Sequence, residues 1–488
     1  MTRHRKPEPD DDVGRPGAPI EDPLLRAVSA GAEAEPDATK LHKKQRDQGK
    51  LADTGAPPAG RMTLEEARRR GPLGWLQLLG PGLITGASDD DPSGIGTYSQ
   101  VGSRFGYGLL WTPIFTFPLM AAVEELCARI ALQTGVGLGT SLRRKFPTWL
   151  VGACVLALFV ANTINVGADL GAVAAAGSLL SRGVLHQIWL VAPVAALILL
   201  LQLFLTYGMI FKIFKWLTVG LFAYVVTGVI VHPDLRQVVV ASLVPQIQLN
   251  RDQIAGLVAV LGTTISPYLF FWLASSEVDE MRAAGKLTER KRRGVKRSEL
   301  RAARADIVIG MLFSNAVMYF IMLTSAAVLH AHGRTDVQTA EQAAEALAPL
   351  AGQWSFVLFA VGMIGTGLLA IPILTGSAAY AVRDFLGLKG ALADKPTYRP
   401  TFYGIMVLST AIGIGINLLG IESMRALFLT AIINGLVAPP ILILIVLLGS
   451  SRDVMGSRTS GRLSKALTWA AATVMSAAAI ALVVSLVA

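Results

Sequence analysis

Apolar and polar positions along this chain segregate into long blocks rather than alternating with a short period. Eleven stretches stay apolar for close to the ~20 residues that a helix needs to cross ~30 Å of hydrocarbon. They lie near 74–98, 107–133, 148–178, 187–206, 210–231, 254–277, 304–330, 354–382, 401–419, 424–448 and 465–487. The pattern predicts an all-α, polytopic membrane protein of about 11 transmembrane helices. Residues 1–70 differ in kind: they are polar, rich in Pro, Gly, Asp, Lys and Arg, and hold no apolar run of signal-peptide length. So little apolar surface cannot offset the entropy of ordering a chain, so this stretch reads as a disordered cytoplasmic tail.

Composition sharpens that picture. The 488 residues are 52% hydrophobic and 16% charged, with mean hydropathy +0.52, whereas soluble domains carry about 25% charged residues. The net charge is +10, yet the tail is almost balanced, with 14 Lys and Arg against 13 Asp and Glu. The excess therefore lies in loops beside the apolar runs. Arg143, Arg144 and Lys145 fill one such loop, Lys212 and Lys215 another, and ten basic residues crowd 282–304. Arg383, Lys389, Lys395 and Arg399 follow the eighth run, and Arg452, Arg458, Arg462 and Lys465 the tenth. Every second connection is basic, which predicts a cytoplasmic N-terminus, an outside C-terminus and residence in the plasma (inner) membrane. Basic residues so placed argue against nucleic acid as a partner and leave anionic lipid at 281–304 as a further contact. Residues 335–350 open with a helix-start signal and predict a short amphipathic helix on the outside. Cys127 and Cys154 sit inside apolar runs and read as packing residues. No catalytic constellation or nucleotide-binding loop is visible, so an enzyme and a bound cofactor are not expected. Oligomeric state is not encoded legibly.

Two of the apolar runs carry their own interruptions. The first contains Gly80-Pro81-Gly82 and then Asp89-Asp90-Asp91-Pro92-Ser93-Gly94. The sixth contains Gly262-Thr263-Thr264-Ile265-Ser266-Pro267-Tyr268. Proline removes a backbone donor and clashes one turn back, and the small residues beside it loosen the helix further. The breaks are five helices apart, which fits two inverted five-helix repeats over 71–231 and 232–448, with 449–488 as an extra helix. In such carriers the unwound carbonyls and half-helix ends coordinate ions. Carboxylates inside an apolar segment face a cavity, a partner or a path. Three of them at the first break favour a cation over an anionic solute. A carrier of a small organic solute, or a metal sensor that moves nothing, stays open as an alternative.

At these residues the chain resembles the NRAMP family of divalent metal transporters. That family carries G-P-G and D-P-G-N in its first helix and M-P-H in its sixth. Asp91-Pro92 falls in register with the D-P, and Gln100 matches a Gln further along the same segment. Leu126-Cys127-Ala128-Arg129 with Thr134-Gly135 is similar to L-A-A-R and T-G, Asp169-Leu170 to D-L, and Asn315 to the Asn of N-A-A-M. The resemblance runs from about 73 to 448 and implies a LeuT-like fold. The chain departs from the pattern at Gly94 for Asn, Ser266 for Met, Tyr268 for His, Ala172 for a third-helix acid, and Ala431 for a Gln, with Asn434 one turn on. Exchanging a thioether for a hydroxyl hardens the donor set. Gly94 and Ser266 would leave a roomier site for a partly hydrated ion, as in NRAMP-related magnesium transporters.

The resemblance and the breaks together imply import of Mg²⁺ or Mn²⁺ through a site made of Asp91, Ser88, Gly94, Thr263 and Ser266. Asp89, Asp90, Glu124, Glu125, Arg129, Asp169, Tyr268 and Asn434 are the expected path or gating residues. Glu125 and Arg129 have the spacing of an i,i+4 ion pair, and Arg129 is also a possible partner for Asp169. Loss of the His and of the third-helix acid implies weak proton coupling or none.

Overall fold

Proline and glycine set most of the helix boundaries. The computed structural model describes residues 81–204, 221–248, 250–388 and 399–487, and among these it has helices and no strands. In chain order the helices are α1 (Pro81–Asp89), α2 (Pro92–Phe105), α3 (Thr112–Thr134), α4 (Leu138–Arg143), α5 (Thr148–Leu180), α6 (Gln187–Phe204), α7 (Phe222–Ile230) and α8 (Leu235–Leu243). They continue with α9 (Arg251–Thr264), α10 (Pro267–Ala283), α11 (Glu289–Arg292), α12 (Arg297–Thr324), α13 (Ala340–Ala344), α14 (Ala348–Ala351) and α15 (Ser355–Leu386). The last are α16 (Pro400–Asn417), α17 (Ser423–Ser450), α18 (Arg452–Met455) and α19 (Arg462–Val487). The expected tail over 1–70, the start of the first apolar run and half of the fifth (210–220) lie outside the described residues.

Eight helical stretches among the described residues are long and apolar enough to cross a membrane. One of them, Arg251–Ala283, is the broken pair α9–α10 taken together. The first run is cut by its break into pieces of 9 and 14 residues. The second, α3, has 23 residues but carries Glu124, Glu125 and Arg129 within them. The expected outside helix at 335–350 is present only in pieces. Thr339 caps α13 through a capping box with Gln342, but the helix passes into a tighter turn and restarts at α14 beside Pro349. A proline there has no N–H to offer the preceding turn.

Both anticipated breaks are real, and each is made by the residue before a proline. Asp91 is extended (φ −69°, ψ 170°) and Pro92 opens α2; Ser266 is extended (φ −78°, ψ 125°) and Pro267 opens α10. The proline ring disfavours a helical conformation at the residue preceding it. The half-helices are then held by backbone contact. A Cβ on Gly86 would come within 2.2 Å of the Gly310 carbonyl oxygen, so α1 lies directly on α12. A Cβ on Gly262 would meet the Ala431 carbonyl oxygen at 2.2 Å, which sets α9 against α17 in the same way. Small residues permit this approach where lipid supplies no hydrophobic drive between helices. The Gly82 amide donates to Asp306 Oδ2 of α12 at 2.8 Å, capping the start of α1. Long α5 packs along α15, α16 and α17 and forms the frame around the breaks.

The basic loop after α10 is folded rather than free. Arg292 is buried and donates to the carbonyls of Gly135 (2.8 Å), Lys286 (3.1 Å) and Leu287 (2.8 Å). Glu289 takes a two-point bridge from Arg144 at 2.7 and 3.0 Å. Arg282 pairs with Asp279 and Lys286 with Glu299. A share of the charge that the sequence offers to lipid headgroups is therefore spent inside the protein.

Candidate metal centre at the helix breaks

Asp91 is the hub. Its Oδ1 caps α2, accepting from the Gly94 amide at 2.6 Å and the Ser93 hydroxyl at 2.7 Å. Its Oδ2 faces the frame, accepting from Asn165 Nδ2 of α5 at 3.2 Å and the Tyr268 hydroxyl of α10 at 3.4 Å. The same hydroxyl lies 3.1 Å from the Ser88 carbonyl at the end of α1. Tyr268 thus joins the second break to the first, and Ser377 of α15 steadies it by donating to its carbonyl at 2.6 Å. Asp91, Ser88, Thr263 and Ser266 each expose about 1% of their surface, so the centre is closed to water on every side.

The sixth-helix oxygens sit at the unwound turn. Ser266 Oγ donates to the Gly262 carbonyl at 3.1 Å and the Thr263 carbonyl at 2.5 Å. Its hydrogen is thereby committed, and its lone pairs are left as acceptors. Gly94 sits in close surroundings. A Cβ there would meet the Asp89 carbonyl oxygen and Tyr98 Cε2 at 3.3 Å and Asp91 Oδ1 at 3.4 Å. These contacts are tight enough that a neighbour would have to give by a few tenths of an ångström to admit even a Cβ.

Asp89 and Asp90 turn the other way, as helical spacing predicts. Ser314 Oγ of α12 is 2.7 Å from Asp89 Oδ2 and 3.3 Å from Asp90 Oδ1. Glu124 is buried on α3 within electrostatic reach of Asp89. Glu125 and Arg129 form the expected ion pair, and α19 and the loop before it reinforce it, with Ser464 donating to Glu125 at 3.4 Å and the Thr459 carbonyl accepting from Arg129 at 3.3 Å. Arg129 is not the partner of Asp169, contrary to expectation. Asp169 is buried on α5 toward the Ser93 amide, without reaching ordinary hydrogen-bond geometry. Asn434 is buried on α17, and neither end of its side chain has a hydrogen-bond partner. Asn315, the motif residue, turns to Met120 Sδ at 2.7 Å and the Met311 carbonyl at 3.2 Å.

Asn165, Ser93 and Ser314 were not anticipated. Asn162, Asn165 and Asp169 recur at i, i+3 and i+7, a polar stripe on one face of an apolar helix, and that was the available signal. Among the described residues no group of three or more His, Cys, Asp or Glu side chains has the arrangement to hold a metal ion. Any ion at the breaks would take one carboxylate plus carbonyl and hydroxyl oxygens. A separate cavity of about 670 Å³ lies at the far end of α2, lined by Arg104, Gln237, Gln246, Gln253 and His330.

Comparison with known proteins places this arrangement. The family described as natural resistance-associated macrophage protein-like (Nramp) matches residues 82–485. The chain belongs to the Nramp family. The match includes α19, which the sequence motifs had left outside the resemblance. Among curated relatives, a divalent metal cation transporter MntH of Deinococcus radiodurans is 26% identical over 443 residues, covering 90% of this chain and 94% of that one. The MntH transporter of Pectobacterium carotovorum is 25% identical over 406 residues, covering 83% and 93%. Among solved structures, a variant of the manganese transporter of Eremococcus coleocola aligns with TM-score 0.64 at 18% identity, covering 88% of this chain and 90% of that one. A nucleobase-cation-symport-1 family transporter, Mhp1, aligns with TM-score 0.51 at 14% identity, covering 89% and 94%. These likenesses establish the LeuT-like architecture of the Nramp protein.

Proposed function

We propose that this Nramp protein carries a divalent metal cation across the membrane by alternating access, with Mg²⁺ or Mn²⁺ as preferred cargo. The observation that carries the proposal is Asp91, a fully buried carboxylate at the first break, tied by Tyr268 to the second. The relatives named as divalent metal cation transporters support the same reading. The bound ion would take Asp91, the carbonyls of Ser88 and Thr263, and Ser266 Oγ. All are hard oxygen donors of the kind that suit Mg²⁺ and Mn²⁺. Asn434, buried without a partner on α17, would orient a water of the hydrated ion.

Two inverted repeats, 71–231 and 232–448, would rock around the breaks, opening the closed centre to one side at a time. The positive-inside pattern supports a cytoplasmic N-terminus and a plasma membrane location, with transport inward. Coupling to protons would be weak. Tyr268 stands where a titratable His would be, and a phenol stays protonated at neutral pH. Ala172 supplies no carboxylate at its position.

The test is uptake into liposomes holding the purified protein, with an ion-sensitive dye and a pH dye inside. Mn²⁺ and Mg²⁺ should compete for uptake while internal pH stays flat. Failure of both ions to be taken up would overturn the proposal, and acidification in step with uptake would overturn its uncoupled part.

A further inference from the structure

One partner of Asp91 carries a donor and an acceptor on the same side chain. We propose that Asn165 on α5 is a further ligand of the transported cation, its amide turning over as the ion arrives so that the oxygen takes the place of the NH2 group beside Asp91. The inference rests on the cation-transport reading and adds to its ligand set.

The two oxygens of Asp91 are not equivalent. Oδ1 takes short bonds from the Gly94 amide (2.6 Å) and the Ser93 hydroxyl (2.7 Å) and is committed to the cap. Oδ2 takes longer ones, from Asn165 Nδ2 at 3.2 Å and from the Tyr268 hydroxyl at 3.4 Å, which lies nearer the Ser88 carbonyl at 3.1 Å. A hydroxyl has one hydrogen, so Tyr268 serves Ser88 first and Asn165 is the main donor to Oδ2. Oδ2 is therefore the oxygen open to an ion, and Asn165 stands directly against it. A carboxylate only accepts, so the amide presents its NH2 end there. The other end, Oδ1, is wholly buried and has no hydrogen-bond partner, a costly state for an amide oxygen. A cation at Oδ2 repels the NH2 group and attracts the oxygen. A half-turn of the terminal torsion, which is broad and two-fold for asparagine, exchanges the two ends at nearly constant shape. It places an amide oxygen about where Nδ2 now stands, 3.2 Å from Asp91 Oδ2. Adjacent oxygens around an octahedral ion with ~2.1 Å metal–oxygen distances lie ~3 Å apart, so one ion fits both. The displaced NH2 group has acceptors one turn away on the same helix, Asn162 Oδ1, buried without a partner, and the Asp169 carboxylate.

The added donor is a hard, neutral oxygen, which suits Mg²⁺ and Mn²⁺ and adds no charge to that of Asp91. It also comes from a different part of the fold. Ser88, Asp91, Thr263 and Ser266 lie at the broken helices, whereas Asn165 lies on α5 of the frame. An ion held by both ties the breaks to the frame. Rocking of one against the other then loosens its coordination, which couples release to the opening of the centre.

Electron–nuclear double resonance of Mn²⁺ bound to the full-length protein, labelled with ¹³C at its asparagine side-chain carbonyls, tests this. The carbonyl carbon of a liganding amide is one bond from the metal-bound oxygen and gives a resolved ¹³C coupling; an asparagine that only positions Asp91 does not. The native protein should show that coupling. Asn165→Asp keeps an oxygen at the position but carries no label, so it should still bind Mn²⁺ and lose the coupling. Asn165→Leu should also lose it and raise the KM for Mn²⁺ uptake into liposomes about tenfold or more. Absence of the coupling from Mn²⁺-loaded native protein, or its persistence in Asn165→Asp, overturns the inference and leaves the transport reading intact. Should neither Asn165 variant fold, Asn162→Ala and Asn434→Ala decide: a coupling kept in both supports Asn165, and one lost in either overturns it. Native protein that takes up neither Mn²⁺ nor Mg²⁺ overturns the transport reading instead.

Discussion

Asp91 has two roles in this structure, and two substitutions separate them. As a cap it takes the Gly94 amide and the Ser93 hydroxyl; as a charge it faces the breaks with Asn165 and Tyr268. Asparagine caps a helix about as well as aspartate, so Asp91→Asn should change stability by no more than ~1 kcal/mol. Alanine removes the cap on the Gly94 amide, worth ~1 kcal/mol, and strands the buried Asn165 donor at ~1–3 kcal/mol. Asp91→Ala should therefore lose ~2–4 kcal/mol. Transport sees only the charge. A carboxylate about 4 Å from a divalent ion, at an effective dielectric of about 20, contributes ~8 kcal/mol before desolvation. If half survives the loss of water, Asp91→Asn still weakens binding about a thousandfold. The assays are thermal unfolding in detergent and Mn²⁺ uptake into liposomes at matched protein density. The expected result is a stable, silent Asn variant and an unstable, silent Ala variant. Native uptake by Asp91→Asn would refute the ligand assignment, and equal stability of the two variants would refute the capping argument.

Three further outcomes follow from other parts of the fold. Ser266→Met introduces a thioether at the second break, so competition assays should move toward Mn²⁺ or Cd²⁺ and away from Mg²⁺; an unchanged profile would mean position 266 does not set selectivity. Gly262→Ala would set a Cβ 2.2 Å from the Ala431 carbonyl oxygen, so α9 must shift from α17; overpacking of this kind costs ~1–3 kcal/mol, read as a lower unfolding temperature, and a neutral effect would refute the close packing. The Arg144 guanidinium holds the exposed Glu289 carboxyl below its ordinary value. A folded value lower than the unfolded one means the bridge stabilises above the unfolded carboxylate range and is lost as pH falls through the folded value. Amide exchange over 285–296, corrected for its intrinsic rate, should quicken modestly below about pH 4.5, and Arg144→Ala should remove that dependence.

The features legible in the sequence are those decided locally. Pro92 and Pro267 dictate the breaks through their own rings, and the structure interrupts the helices there. Apolar runs give the ends of α5, α15 and α17 to within a few residues because hydropathy changes sharply there. At α12 the helix starts at Arg297, seven residues before the apolar run expected from 304, since its first two turns are charged yet still helical. Hydropathy cannot see helix that lies outside lipid. Partnership was the illegible part. Which face of α5 meets the first break, and so whether Asn162, Asn165 or Asp169 touches Asp91, depends on packing between segments more than seventy residues apart. The family motif drew attention to Asn315, whereas its neighbour Ser314 reaches the aspartates, one helical position and about 100° away.

Gly94 shows why a departure from a family pattern has to be read with its neighbours. Taken alone, a glycine for an asparagine removes an amide ligand and implies space for water. In the folded chain a Cβ at that position would already stand 3.3 Å from both the Asp89 carbonyl oxygen and Tyr98 Cε2, so the glycine also relieves crowding at the break. Without an amide donor at 94, an ion at the breaks would be held by the Asp91 carboxylate and the carbonyl and hydroxyl oxygens around it, a donor set that favours a hard ion holding part of its water shell.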